Sequence, residues 1–265
     1  LQPLDFENVV KPFLCDWGIN PSGISIELQR LLQVPQNLRI YEKLAKLSKA
    51  LQPGSAYELY DSFLEEVVAK NPRLGDEALV ALQNMAEHLM QQRSQSCRKV
   101  AFGANEDVVR ELISQEVLLE TSLGVMEFSH QTLTDCLIVR ANLAKNKTLA
   151  HFILAHPQLP FIRPAVRAFF FFLRAHELGD FRRQVWQVLS HDEIAYHVKR
   201  LICESFAEIE PVEEDWRLLR RIFQNYPDLF RRLLSRVAGN AWFDILKQHW
   251  LPEVQTSPKS NMRLA

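Results

Sequence analysis

Val117-Leu118-Leu119-Glu120-Thr121-Ser122-Leu123-Gly124-Val125-Met126-Glu127-Phe128 is the stretch on which the fold turns. Two apolar runs, 117–121 and 125–128, flank Ser122-Leu123-Gly124, with Gly124 supplying the turn. That pattern predicts a β-hairpin, because glycine reaches the positive-φ conformations that tight turns need. Upstream, three segments carry apolar residues at helical spacing. Ser55 caps the first, with Leu59, Phe63 and Val67 on its apolar face. Asp76 opens the second, with Leu79, Leu82, Met85, Ala86, Leu89 and Met90. Asn105 caps the third, with Val108, Val109, Leu112 and Ile113. Gln91 to Lys99 reads as a polar loop, and a fourth helix follows the hairpin over 131–143. Three helices and then a two-stranded ribbon make a winged-helix arrangement, assigned to residues 54–146.

Ahead of this module, residues 1–53 read as a short helical bundle. Phe6, Val9, Val10, Phe13, Leu14 and Trp17 form one helical stripe, ended or kinked by Pro12. Ser25 caps a short helix, and Pro35 starts another with Leu38, Tyr41, Leu44, Ala45 and Leu47 on one face. On the other side, 147–252 reads as helix pairs punctuated by Pro157, Pro160, Gly179, Pro211, Pro227 and Gly239. Apolar-basic-apolar segments recur at Ala165-Val166-Arg167, Val198-Lys199-Arg200-Leu201 and Leu219-Arg220-Arg221-Ile222, a HEAT-like repeat pattern. Residues 253–265 read as a disordered tail. The expected fold class is mainly α: a short bundle, a winged helix with one β-hairpin, then HEAT-like repeats.

Composition agrees with a globular chain. Among 265 residues, 47% are hydrophobic and 24% charged, which excludes a disordered chain, a collagen-like fibre and a disulfide miniprotein. Eight glycines point away from a Rossmann or P-loop core. Cys15, Cys97, Cys136 and Cys203 are too far apart for a CxxC pair or a zinc knuckle, and read as small buried apolar residues in a reducing compartment. No run reaches the roughly 18 apolar residues of a membrane helix, and no signal peptide is evident, so the expected location is cytoplasmic. Because the chain starts with Leu1, it reads as a fragment of a longer protein.

Catalytic motifs are absent from this stretch. It has no GxxxxGK[ST] and no HExxH. His191 and His197 are six residues apart, which rotates them by about 240° on a helix, so they cannot share a metal on one face. They read as a capping segment for the next helix, and the chain as not itself an enzyme. A winged helix invites DNA binding, but the helix before the hairpin carries Glu106, Asp107, Glu111 and Glu116 against Arg110 alone. Phosphates would be repelled there, so the module reads as a protein-contact one and nucleic acid as an unlikely partner. Residues 151–265 hold 16 basic and 13 acidic side chains. Arg182-Arg183, Arg220-Arg221 and Arg231-Arg232 read either as solvated faces paired with the Glu208–Asp215 acidic run or as a basic stripe. Phe169 to Phe172 cannot all face one core from one helix; they mark a helix buried on several sides or a docking face for a neighbouring domain.

Two further motifs carry a family resemblance. Leu31-Leu32-Gln33-Val34-Pro35-Gln36-Asn37-Leu38 is similar to the "P-x-x-L" element of a lid bundle. Met126-Glu127-Phe128-Ser129-His130-Gln131-Thr132-Leu133-Thr134-Asp135 is similar to an "F-x-H-x-x-x-x-D" segment at the end of a wing. With the order of bundle, winged helix and repeats, they resemble the region C-terminal to the nucleotide-binding core of STAND NTPases, the NACHT and NB-ARC group. The resemblance covers about residues 1–150. It implies that Pro35 packs near the adenine and His130 contacts the β-phosphate of ADP, both shared with an NTPase domain upstream in the same chain. From the residues alone, His130 could instead anchor the hairpin to the next helix, and Pro35 could be a plain first-turn proline. Asp135 reads as packing or capping locally. The implied function is the regulatory arm of an ADP/ATP-controlled switch that forms homo-oligomers when activated and serves innate immune or antiphage signalling. Two other classes stay open: a helical-repeat adaptor without nucleotide, and a nucleic-acid-binding regulator using the Arg-rich repeats.

Overall fold

A computed structural model describes residues 2–47, 51–122 and 124–252. The expected tail at 253–265 and the turn residue Leu123 lie outside the described residues. The chain is mainly helical with one three-stranded antiparallel sheet. In order come α1 (Lys11–Asp16), α2 (Ile26–Leu32), α3 (Pro35–Leu47), α4 (Ala56–Leu64), α5 (Gly75–Gln92), β1 (Ser96–Arg98), α6 (Lys99–Phe102) and α7 (Glu106–Ser114). They continue with β2 (Leu118–Ser122), β3 (Val125–Phe128), α8 (Gln131–Ala144), α9 (Leu149–Leu154), α10 (Arg163–His176), α11 (Leu178–Ser190) and α12 (Tyr196–Phe206). The last three are α13 (Trp216–Asn225), α14 (Pro227–Leu234) and α15 (Asn240–Ile245).

The caps read from sequence form as expected. Ser25 Oγ accepts from the Leu28 N–H, Ser55 Oγ from the Glu58 N–H and Asn105 Oδ1 from the Asp107 N–H. Each satisfies a donor that the first helical turn leaves without an intrahelical partner. Pro12 does not end its helix. A π-turn over Phe6–Val10 runs straight into α1, so the proline lies within a continuous helical run, just past the change from π to α. A second π-turn, Glu65–Ala69, extends α4.

The sheet corrects one expectation. Gln91 to Lys99 is not simply a loop, because Ser96–Arg98 forms β1 against β3, with Cys97 opposite Met126. The sheet order is therefore β1-β3-β2, and β3 is central. The hairpin itself pairs Leu118 with Phe128 and Glu120 with Met126, and Gly124 takes φ +77° in the turn. A short helix, α6, follows β1 directly and ends on Gly103, also at positive φ.

The chain divides into two compact units. The first comprises Leu1–Thr148 and Pro164–His176, and the second comprises Leu149–Arg163 and Glu177–Ala265. In the first, α8 is the central helix. Leu133, Cys136, Leu137, Ile138, Val139 and Ala141 are buried on nearly every side of it, and α5 and α4 pack against it. Helix α10 counts with this unit. Phe169 and Phe170 are fully buried, whereas Phe172 is half-buried and meets Tyr57 edge-on at 5.2 Å. In the second unit α9 packs on α11, α12 on α14, and α13 on α14. Buried Gln184 on α11 accepts the Leu149 N–H at 2.7 Å, tying down the start of α9. Phe181 stacks on Phe206 at 5.7 Å, and Trp242 closes the cluster edge-on while donating its indole N–H to the Ile209 carbonyl.

Candidate functional site around His130

Position 130 lies where the central strand gives way to the central helix. The Ser129 N–H bonds the Val117 carbonyl at 3.1 Å, which carries the ladder past β3 and fixes the entry into α8. His130 then adopts an extended backbone and caps α8 with its side chain. Its Nδ1 accepts from the Thr132 N–H at 3.2 Å and lies 3.0 Å from the Tyr60 hydroxyl of α4. A backbone N–H can only donate, so Nδ1 carries no proton and the Tyr60 O–H donates to it as well. The neutral ring must then bear its proton on Nε2, for which no partner exists among the described residues. Burial lowers the His130 pKa, which favours this neutral form at pH 7. The Tyr60 ring lies 5.4 Å from the imidazole, and burial pushes the Tyr60 phenol up, keeping it a donor.

The other named site residues sit elsewhere. Pro35 is exposed at the first position of α3. Beside it, Asn37 donates to the Leu31 carbonyl and closes the α2–α3 corner. Among the described residues no hydrogen bond, ion pair or ring contact joins Pro35 to His130. Asp135 is 7% exposed, and among the described residues its polar contact, from Gln131 Nε2, is long at 3.4 Å. Burial pushes its carboxyl up to about 7, so it is poised to be neutral or charged near physiological pH.

No family model matches the chain, and no curated protein or solved structure matches it either. The site must be read from its own geometry.

One cluster next to His130 was not picked out from the sequence. Arg140 of α8 bridges Asp61 at 2.9 Å and Glu65 at 3.1 Å, both offered by α4 and its π-turn. The thiol of fully buried Cys136 lies 3.9 Å from Asp61, and burial raises its pKa well above the ordinary value. The buried Tyr57 belongs to the same cluster, and its electrostatic environment includes Cys136, Asp61 and Arg140. The signal was present as an Asp61/Glu65 pair one helical turn apart, but nothing local says that Arg140 is the partner 75 residues or more away.

Helix α7 and the turn after it carry the acids that argued against DNA. Here each is answered by a base: Glu106 by Lys99, Asp107 by Arg110, Glu111 by Arg73, and Glu116 by Lys43 and Arg39. A cavity of about 670 Å³ opens along this helix between Arg73, Asp107, Arg110, Glu111 and Ser114. Its lining charges cancel, which suits neither a polyanion nor a polycation.

Two other histidines make local backbone contacts. His191 Nδ1 accepts from the Glu193 N–H at 3.2 Å, closing the turn before α12, and His156 Nδ1 lies 2.8 Å from the Phe152 carbonyl. Among the described residues no group of His, Cys, Asp and Glu could hold a metal ion, and no helix is long and apolar enough to cross a membrane. All four cysteines are free, and Cys15 is exposed rather than buried.

Proposed function

We propose that this chain is the regulatory arm of a STAND-type NTPase, with His130 as its nucleotide-sensing group. The observation that carries the reading is the imidazole geometry. Two donors on Nδ1 leave Nε2–H, in a partly exposed ring, without a partner among the described residues at the N-terminal end of a 14-residue helix. A neutral N–H at a helix N-terminus is well suited to a terminal diphosphate oxygen. In this reading the upstream domain holds ADP, His130 bonds its β-phosphate, and Pro35 packs toward the adenine. Loss of that bond on exchange for ATP frees the arm and permits homo-oligomers. The setting would be cytoplasmic, in innate immune or antiphage signalling.

The element order supports the module assignment. Helix α5, strand β1, helices α6 and α7, and strands β2 and β3 follow one another as helix, strand, helix, helix, strand, strand, in a β1-β3-β2 sheet. That is a winged-helix order, with α6 as the middle helix where the sequence suggested a different trio. For the second unit we infer HEAT-like stacking over α11–α15. The excursion of α10 into the first unit departs from a plain tandem repeat.

The sequence encoded ahead of Leu1 is the first test. A GxxxxGK[ST] within a few hundred residues supports the switch, and its absence removes it. In the protein that carries it, His130→Asn keeps an acceptor to cap Thr132 but is too short to reach a phosphate. ADP affinity should then fall by about tenfold or more, the loss of one hydrogen bond to a charged group. Unchanged ADP retention would leave His130 a cap and nothing more.

A further inference from the structure

In the second unit several arginines are paired with carboxylates. Arg182 is paired with Asp215 and Glu214, Arg183 with Asp180, Arg231 with Asp228, and Arg200 and Arg236 share Glu204. Of these, only Arg182 pairs with the Glu208–Asp215 acidic run, through the buried Asp215; the others find carboxylates outside it. Arg217, Arg221 and Lys199 differ, because among the described residues none has a carboxylate partner. Two of them lie on aromatic rings instead. The Arg221 guanidinium sits 3.7 Å from the centroid of Trp186, and Lys199 Nζ lies 5.8 Å from that of Tyr226. The two rings are themselves 6.0 Å apart, so Arg221, Trp186, Tyr226 and Lys199 form one continuous strip across α11, α12, α13 and the start of α14. Arg221 is exposed, and Trp186, Tyr226 and Lys199 are each partly exposed. Arg217 is exposed one turn before Arg221, on the same face of α13.

We propose that this strip binds single-stranded nucleic acid. A guanidinium 3.7 Å from an indole centroid is at stacking distance, and an exposed Arg221 can offer its plane to an unpaired base and its N–H edge to a phosphate. Lys199 and Arg217 supply further phosphate contacts on either side. A duplex hides its base faces, so it would find only the cations. An acidic peptide would satisfy the charges but leave the stacked guanidinium plane unused. Alternation of cations and rings is the arrangement that tracks a charged backbone with stackable bases. The proposal does not depend on His130 or on a nucleotide in the first unit.

Fluorescence anisotropy of a labelled oligodeoxyadenylate of about twelve nucleotides, titrated with the full chain at several salt concentrations, tests it. Binding should weaken with salt at a slope of about −2 in log K against log salt, about 0.7 for each of three phosphates. Lys199→Ala should make that slope shallower by about 0.7. Arg221→Lys keeps the charge and loses the plane. It should leave the slope unchanged and lower affinity by about tenfold. An abasic strand of equal length should bind the unaltered chain about as weakly as the oligodeoxyadenylate binds the Arg221→Lys variant. Absence of binding at low salt overturns the proposal. So does an abasic strand that binds as tightly as the oligodeoxyadenylate, or a polyglutamate peptide that competes on equal terms, since either reduces the strip to bare charge.

Discussion

Asp135 and His130 sit five residues apart around the start of α8, and burial drives them in opposite directions with pH. For His130 the folded state binds its proton less readily than the unfolded chain, whose imidazole titrates near pH ~6.5. Its contribution to stability is therefore complete above that value and is lost as pH falls through the folded value. Asp135 is the reverse. Folded, it keeps its proton up to about pH 7, against an ordinary value of 3.8, so its contribution is complete below the lower value and fades as pH rises through the higher. Asp135→Asn removes that burden. Urea titrations should find the variant more stable than the parent by about 2–4 kcal/mol at pH 8 and little changed at pH 4. Equal stability differences at both pH values would show that the carboxyl is not held neutral. Cysteine reactivity offers a second check at this scale. Cys97, Cys136 and Cys203 are buried and their thiols are pushed up by burial, whereas Cys15 is exposed. A thiol reagent should therefore modify Cys15 alone in the native chain, and all four after denaturation.

Among the elements, those legible in sequence were the ones long enough to show a period. The hairpin, the capped helices and α10 to α14 each display several turns of apolar spacing or a turn residue that only one conformation explains. The misses were short or non-local. Strand β1 has three residues and a single buried side chain, Cys97, so no alternation can be read from it. Helix α6 has four residues, and the Arg140 bridge depends on a fold that brings α4 to α8. His130 was legible as a residue to watch, but its partner Tyr60 was not, because only packing brings them together. One corner of the first unit allows a direct measurement of backbone strain. Glu116, two residues past the end of α7, takes a left-handed conformation, φ +58°, and ties Lys43 and Arg39 of α3 to that corner. Glu116→Ala loses both ion pairs and keeps the strain, and Glu116→Gly loses the pairs and relieves it. The alanine variant should be less stable than the parent by about 1 kcal/mol. The glycine variant should recover about 1 kcal/mol relative to alanine. Equal stabilities for the two would mean that the left-handed turn is not retained in solution.

At the scale of the whole molecule, the path of the chain between its two units was not visible in sequence. The change to helix pairs suggests a boundary at 146/147. The first compact unit instead runs to Thr148, resumes at Pro164 and ends at His176, with the intervening and following stretches in the second. Periodicity reports that α10 has a buried face without saying which core accepts it. The Phe169–Phe172 run was therefore ambiguous until the contacts assigned it: two rings fully buried, and Phe172 against Tyr57 of the first unit. This makes truncation informative. Val166, Phe169, Phe170 and Leu173 are all buried on α10. At about 1.5–3 kcal/mol each, their removal takes away as much as the whole net stability of an ordinary domain. A chain ending at Thr148 should accordingly show a broad, non-cooperative loss of helical circular dichroism in urea. A chain ending at His176 should unfold in a single sharp transition despite carrying α9 without its α11 partner. Identical cooperative transitions for the two chains would mean that α10 contributes nothing to the first unit, and the division of the molecule would have to be redrawn at Thr148.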